Sequence, residues 1–176
     1  MVTKVYGTQG VDKVQDNVIA TADLQDGAVT AAKIASGVAG TGPAFSAYAN
    51  TYTTISSDVW TKVIINSEVY DTNSNFDTGT YRFTPTVAGY YSFTGSVFTQ
   101  GSTSVTRLLL GIYKNGSESL GGIIGDLRGS TVTNSGVNGS ILLNMNGTTD
   151  YAEFYLYESG TVCAYLGGSP YTYFQG

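Results

Sequence analysis

The chain has 176 residues, a formal net charge of −5 and 12% charged residues, which is long enough for one well-buried domain with an extension and too short for two typical domains. Its 23 glycines and 14 tyrosines, with abundant Ser, Thr and Asn, suit short strands joined by tight turns and argue against a helical bundle. Without a Lys/Arg cluster there is no phosphate-neutralising surface for nucleic acid; without histidine the commonest general base is gone; with Cys163 alone no intrachain disulfide forms.

Residues 1–41 differ from the rest. Met1-Val-Thr-Lys4 leads into Tyr6, Gly7, Thr8 and Gln9 rather than an apolar run, so no secretory signal is expected there, and no stretch is fit for membrane insertion. Leu24, Val29 and Ile34 stand five residues apart, a spacing that fits neither a helix stripe nor a strand. Asp26-Gly27 suits a turn, and Thr30 can cap one helical turn. An Ala/Gly-rich linker is the plainer reading, yet a solvated linker has no need of regular apolar anchors. Three chains wound together would bury them. Residues 1–41 are therefore read as an attachment segment, and 42–176, after the punctuation of Gly40-Thr-Gly-Pro43, as a globular head.

In the head, strands are predicted at Phe45 to Ala49 and near residues 61–69, 80–84, 89–99, 106–114, 122–127, 137–144, 151–157, 162–166 and 171–174. Along Gly89 to Phe98, Tyr91, Phe93 and Val97 alternate with Ser92, Thr94 and Ser96, the signature of a half-buried strand. Val87-Ala88-Gly89 reads as the turn into it, and Asn115-Gly116, Asn138-Gly139 and Asn146-Gly147 as tight turns. The fold class is all-β, a jelly-roll sandwich of about ten short strands.

The search for chemistry finds little. Asp150, Glu153 and Glu158 flank one predicted strand, and a glycosidase uses two such carboxylates. The odd interval from Asp150 to Glu153 places them on opposite faces, so they are expected to be solvated edge charges. Asp71-Thr-Asn73-Ser-Asn75-Phe-Asp77-Thr-Gly79 alternates oxygen ligands like a calcium loop, but Phe76 stands where such a loop turns on Gly and Arg82 where it closes on Glu. An Asn/Asp-rich turn is the expected reading. Cys163, beside Val162 and Ala164, is expected in the core. Tyr48, Tyr52, Tyr165, Tyr171 and Tyr173 are the candidates for contact or interface roles, since tyrosine offers a rigid apolar ring with a polar tip.

Two resemblances follow from particular residues. Asp71, Phe76, Phe83, Gly89, Tyr91 and Phe93 stand at the intervals of the signature of complement C1q-like domains, with Ile65 where that pattern opens on Phe. Ala44-Phe45-Ser46-Ala47 and Phe174-Gln175-Gly176 resemble the family's first and last strands. That resemblance implies a trimeric β-sandwich; some C1q-like proteins bind calcium, which here stays unassigned, and no other cofactor is implied. Asp23-Leu-Gln-Asp-Gly-Ala-Val-Thr-Ala-Ala-Lys-Ile-Ala35 resembles the short repeats of bacteriophage tail and head fibres.

Together these imply a structural, non-catalytic virion protein: a short tail fibre, head fibre or decoration protein. It would be assembled in the host cytoplasm, released by lysis, anchored to other virion proteins through residues 1–41, and would present a homotrimeric head to a host-surface glycan or protein. The alternative is a cellular bacterial C1q-like module that binds glycan or protein, with residues 1–41 a linker.

Overall fold

The computed structural model describes residues 42–160 and 163–176, so Leu24, Val29 and Ile34 lie outside the described residues. Within them the chain is all-β, without a helix, in the order β1 (Phe45–Tyr48), β2 (Thr53–Ile55), β3 (Thr61–Lys62), β4 (Ser67–Asp71), β5 (Phe76–Asp77), β6 (Arg82–Phe83), β7 (Gly89–Lys114), β8 (Ser117–Met145), β9 (Ala152–Ser159), β10 (Cys163–Tyr165) and β11 (Tyr173–Gln175). Every pairing is antiparallel.

Two strands organise the rest. β7 spans 26 residues and β8 29, and they pair with each other along their length, with register shifts between Gln100 and Val105. The first part of β7 pairs with β11, in the order β4-β1-β11-β7; its second part pairs with β9, which continues to β6 and β5 and also takes β3. One strand thus serves both layers of a jelly-roll sandwich, with its pairing partners changing across the register shift. The predicted strands at 89–99 and 106–114 are therefore one strand, as are those at 122–127 and 137–144.

The period-two reading of β7 holds. Tyr91, Phe93 and Val97 are buried, Ser92 is exposed, and Thr94 and Ser96 are half-buried. Their rings enter an aromatic cluster centred on Phe45, whose ring centroid lies 4.9 Å from Phe76, 4.5 Å from Phe83 and 4.9 Å from Phe174. Phe174 on β11 stacks at 5.6 Å on Phe154 of β9, joining the two layers. Each such buried ring contributes about 1.5–3 kcal/mol of burial free energy. The backbone continues β11 at Gly176, which exchanges hydrogen bonds with Phe45 at 2.9 and 3.1 Å.

Turn chemistry divides the three Asn-Gly pairs. Asn115 and Gly116 both take positive φ, 54° and 74°, and close the tight turn between β7 and β8. Asn146 instead turns the chain with its side chain, its Oδ1 accepting from the backbone N–H groups of Thr148, Thr149 and Asp150 at 2.9 Å. Asn138-Gly139 is not a turn: it lies within β8, opposite Ser96 and Gly95. A Cβ on Gly139 would overlap the Ile124 carbonyl, so glycine serves close approach there.

The predicted strand at 61–69 is interrupted. Val63 and Ile65 are both buried, and the Ile64 N–H between them leaves the ladder and donates to the Tyr165 hydroxyl at 3.0 Å. The short strands β2 and β5 carry too few residues for alternation to register.

Candidate functional site

Residues paired across an antiparallel sheet point to the same side, so the registers define each layer's outer face. On the first layer one row reads Ser67, Tyr48, Tyr173, Ser96 and Asn138, and the next Tyr70, Ser46, Gln175, Thr94 and Ser140. Beyond them Ser92 faces Leu142 and Tyr90 faces Asn144. None of these residues is charged. Tyr90 is 75% exposed and Leu142 63%, an amphipathic and an apolar side chain left to solvent on one face.

The second layer's outer face is different. Its rows read Arg82, Glu153 and Tyr113; Lys62, Tyr155, Gly111 and Ile123; Tyr157, Leu109 and Asp126; Ser159, Arg107 and Arg128. Trp60 lies over Gly111, where a Cβ would come within 3.3 Å of its ring, and packs beside Tyr113 and Tyr157 with centroids at 5.7 and 5.6 Å. Tyr113 stacks on Tyr155 at 3.9 Å. The five Lys and Arg residues of 42–176, namely Lys62, Arg82, Arg107, Lys114 and Arg128, all belong to this layer and all form ion pairs.

The carboxylates are not solvated edge charges, contrary to the sequence expectation. Glu153 is buried, and its Oε1 accepts from Lys62 Nζ at 2.5 Å and Arg82 Nε at 2.6 Å. The Arg82 guanidinium lies 4.1 Å from the centroid of the Tyr151 ring. Asp150 is also buried; it accepts from Asn115 Nδ2 at 2.8 Å and pairs with Lys114 at 2.8 Å, and these bonds hold its carboxyl below the usual range. Glu158 pairs with Leu108 on the inward side and is fully buried, with neither carboxylate oxygen hydrogen-bonded among the described residues. Burial pushes its carboxyl upward. Asp126 bridges Arg107 and Arg128, which hold it at about 2.

In the stretch that resembles a calcium loop, the oxygens are turned onto the chain itself. Asp71 accepts from the N–H groups of Asn73 and Phe76 at 3.2 and 2.7 Å, and Asp77 from Gly79 N–H and the Thr80 hydroxyl at 2.8 and 2.7 Å. That is the geometry of Asx turns. Among the described residues no group of three or more His, Cys, Asp or Glu is placed to hold a metal, and no pocket is present. Cys163 is buried, and burial pushes its thiol up to about 12.

Of the predicted contact tyrosines, Tyr48 and Tyr173 stand adjacent on the first layer's outer face, both half-buried. Tyr171, 45% exposed, packs near Phe98 at 6.0 Å, and Tyr52, 57% exposed, donates to the Gln100 carbonyl at 3.4 Å. Tyr165 is a correction: fully buried, it is a core residue whose hydroxyl accepts from the Ile64 N–H, not a contact residue. Tyr70, Tyr90 and Leu142 were missed on this face, as was the Trp60, Tyr113, Tyr155 and Tyr157 group on the other. The alternation in β7 that buries Tyr91 already implies an outward Tyr90; the second group depends on strands distant in sequence.

No protein-family model matches the chain, and a search of curated proteins finds no match. Solved structures do resemble it. The globular domain of zebrafish complement 1qA protein matches with a TM-score of 0.54 at 21% identity, covering 76% of this chain and 94% of that one. Murine APRIL matches with a TM-score of 0.54 at 10% identity, covering 77% and 97%. The fold is thus that of the C1q and tumour-necrosis-factor-like jelly rolls.

Proposed function

We propose that this chain is a non-catalytic, homotrimeric binding protein of a bacteriophage virion, fixed to the particle through residues 1–41 and projecting its jelly-roll head toward a host-surface glycan or protein. The observation that carries the assembly is the uncharged, tyrosine-bearing outer face of the first layer. A charge-free face with exposed Tyr70, Tyr90 and Leu142 is suited to burial against another copy. A second surface complements it: β8 pairs with β7 alone, and Leu120 and Ile123 near that edge are 54% and 47% exposed. Contact between two different surfaces of identical chains is heterologous, and where its rotation is a simple fraction of a turn it closes as a ring, of which a trimer is a small example. The virion assignment is supported by the resemblance of Asp23 to Ala35 to fibre repeats. Three linked copies of a weak site raise avidity without new contacts.

Sedimentation equilibrium on the full chain tests the assembly, with a trimer expected and a monomer sinking it. Antibody raised against the chain tests the location. It should decorate intact particles released from cells that encode the protein, and unlabelled particles would remove the virion assignment.

A further inference from the structure

Resting on the reading that the head binds a host-surface glycan, we infer that its site is the outer face of β9 and the second half of β7, and that it takes an acidic polysaccharide bearing carboxylates. The cations are confined to this layer. Residues 42–176 carry nine acidic side chains against five basic ones, and four of the basic ones, Lys62, Arg82, Arg107 and Arg128, face outward here against Glu153, Asp126 and Asp58, with two cations on one carboxylate at each end of β9. The outer face of the first layer offers an anionic polymer no cation, and the exposed Glu68 beside it repels one. Charge complementarity therefore selects one side of the molecule.

The shape of this side selects the polymer. It has no pocket for a side chain, but a row of half-buried aromatics, Tyr113, Tyr155, Trp60 and Tyr157, flush with the sheet because Gly111 leaves room for the Trp60 ring. Aromatic surface of this kind packs against the C–H faces of pyranose rings while hydroxyl groups at its margin bond the sugar oxygens. The Tyr113 phenol stays a protonated donor, since burial pushes it up to about 12, whereas the Tyr155 and Tyr157 hydroxyls donate to Glu153 and Asp58 and offer sugar hydroxyls an acceptor.

The cations bracket the aromatic row. Arg82 pairs in register with Glu153 at one end of β9, and Arg107, with Arg128 beyond it, pairs with Ser159 at the other. At a strand rise near 3.4 Å per residue these ends lie about 20 Å apart, which suits an oligosaccharide several units long. Glu153 engages Arg82 through Nε, and the terminal nitrogens of this 39% exposed side chain take an incoming carboxylate. At the far end Arg128, 68% exposed, gives Nε and Nη2 to Asp126 and turns its remaining terminal nitrogen, Nη1, to an incoming carboxylate.

The test is calorimetric titration of the full chain with oligogalacturonates and, in parallel, with the same oligomers after reduction of their carboxyl groups. Binding of the acidic oligomers with little or no binding of the reduced ones is expected. Arg128→Gln and Arg82→Gln should each weaken it roughly tenfold, the loss of one charge-assisted hydrogen bond. Because Arg82→Gln also disturbs buried Glu153, Arg128→Gln, whose site is exposed, and Trp60→Ala carry the decision if the first variant fails to fold. Equal binding of acidic and reduced oligomers, no binding, or binding indifferent to both Arg128→Gln and Trp60→Ala would overturn the inference. Sedimentation of the same sample separates the two readings: a trimer that ignores oligogalacturonate loses this site and keeps its assembly, whereas a monomer that binds it keeps the site and loses the assembly.

Discussion

The two outer faces of the sandwich are built partly from the same two strands, yet one has no charged residue in its paired rows and the other gathers four of the five basic residues of 42–176. Along β7 the outward positions run Ser92, Thr94 and Ser96 in the first layer and Arg107 and Tyr113 in the second. The core side of the same strand is apolar save for the buried Thr99, from Tyr91 and Phe93 to Leu108, Leu110 and Ile112. Folding requires only the inward half of each strand to be apolar; the outward half is free to differ. Where it differs this sharply between layers, the two faces suit contacts of different chemistry, the uncharged one an apolar surface and the other one a surface that carries charge.

The harshest way to break the comparison is to strip the second face of its cations at Glu153. Replacing Lys62 and Arg82 together by Ala leaves a buried carboxylate uncompensated, and a loss of about 3–5 kcal/mol is expected in urea unfolding. Adding Glu153→Gln to that pair should restore most of the loss; failure to do so would show that the side-chain stems, not the charges, hold this layer.

The first face is probed by importing the charge it lacks. Leu142→Arg on a 63% exposed position should leave the head folded while dispersing the proposed trimer to monomers in sedimentation, because burying an unpaired charge against an apolar partner surface costs several kcal/mol. An intact Leu142→Arg trimer would place the interface elsewhere.

Between the faces, Glu158 tests the cost of a carboxylate that neither side solvates. Its folded value is raised by burial above the ordinary 4.5, so its contribution to stability is fully present below that value and is lost as pH rises through the folded value. Glu158→Gln should flatten this part of the pH–stability curve and gain about 1 kcal/mol at neutral pH. A variant no more stable than the parent would mean the carboxylate has found a partner. The smallest effect is expected at the exposed Arg107, Asp126 and Arg128 cluster, where Asp126→Asn should leave the urea midpoint unchanged.

Much of the fold was legible because the aromatic signature positions are core positions. Phe76, Phe83, Tyr91 and Phe93, set by spacing alone, meet around Phe45 and Phe174 in space. Local patterns misled where a distant partner decided. Asn138-Gly139 has turn chemistry, but the ladder offered by Ser96 and Gly95 keeps it extended. Asp150 and Glu153 looked like edge charges because Lys114 and Lys62, 36 and 91 residues away, are invisible to a local reading. Tyr165 looked available because its role is to accept a hydrogen bond from the Ile64 N–H across 101 residues.

The sequence by itself determined the all-β class, the inward phase of β7, the Asn115-Gly116 turn and the aromatic core, since each depends on side-chain period or backbone angles within a few residues. Only the tertiary structure decided which strands are continuous, which charges are buried in pairs and which tyrosines face outward. Those outcomes depend on register between strands far apart in the chain, and a shift of one residue in that register exchanges core for surface.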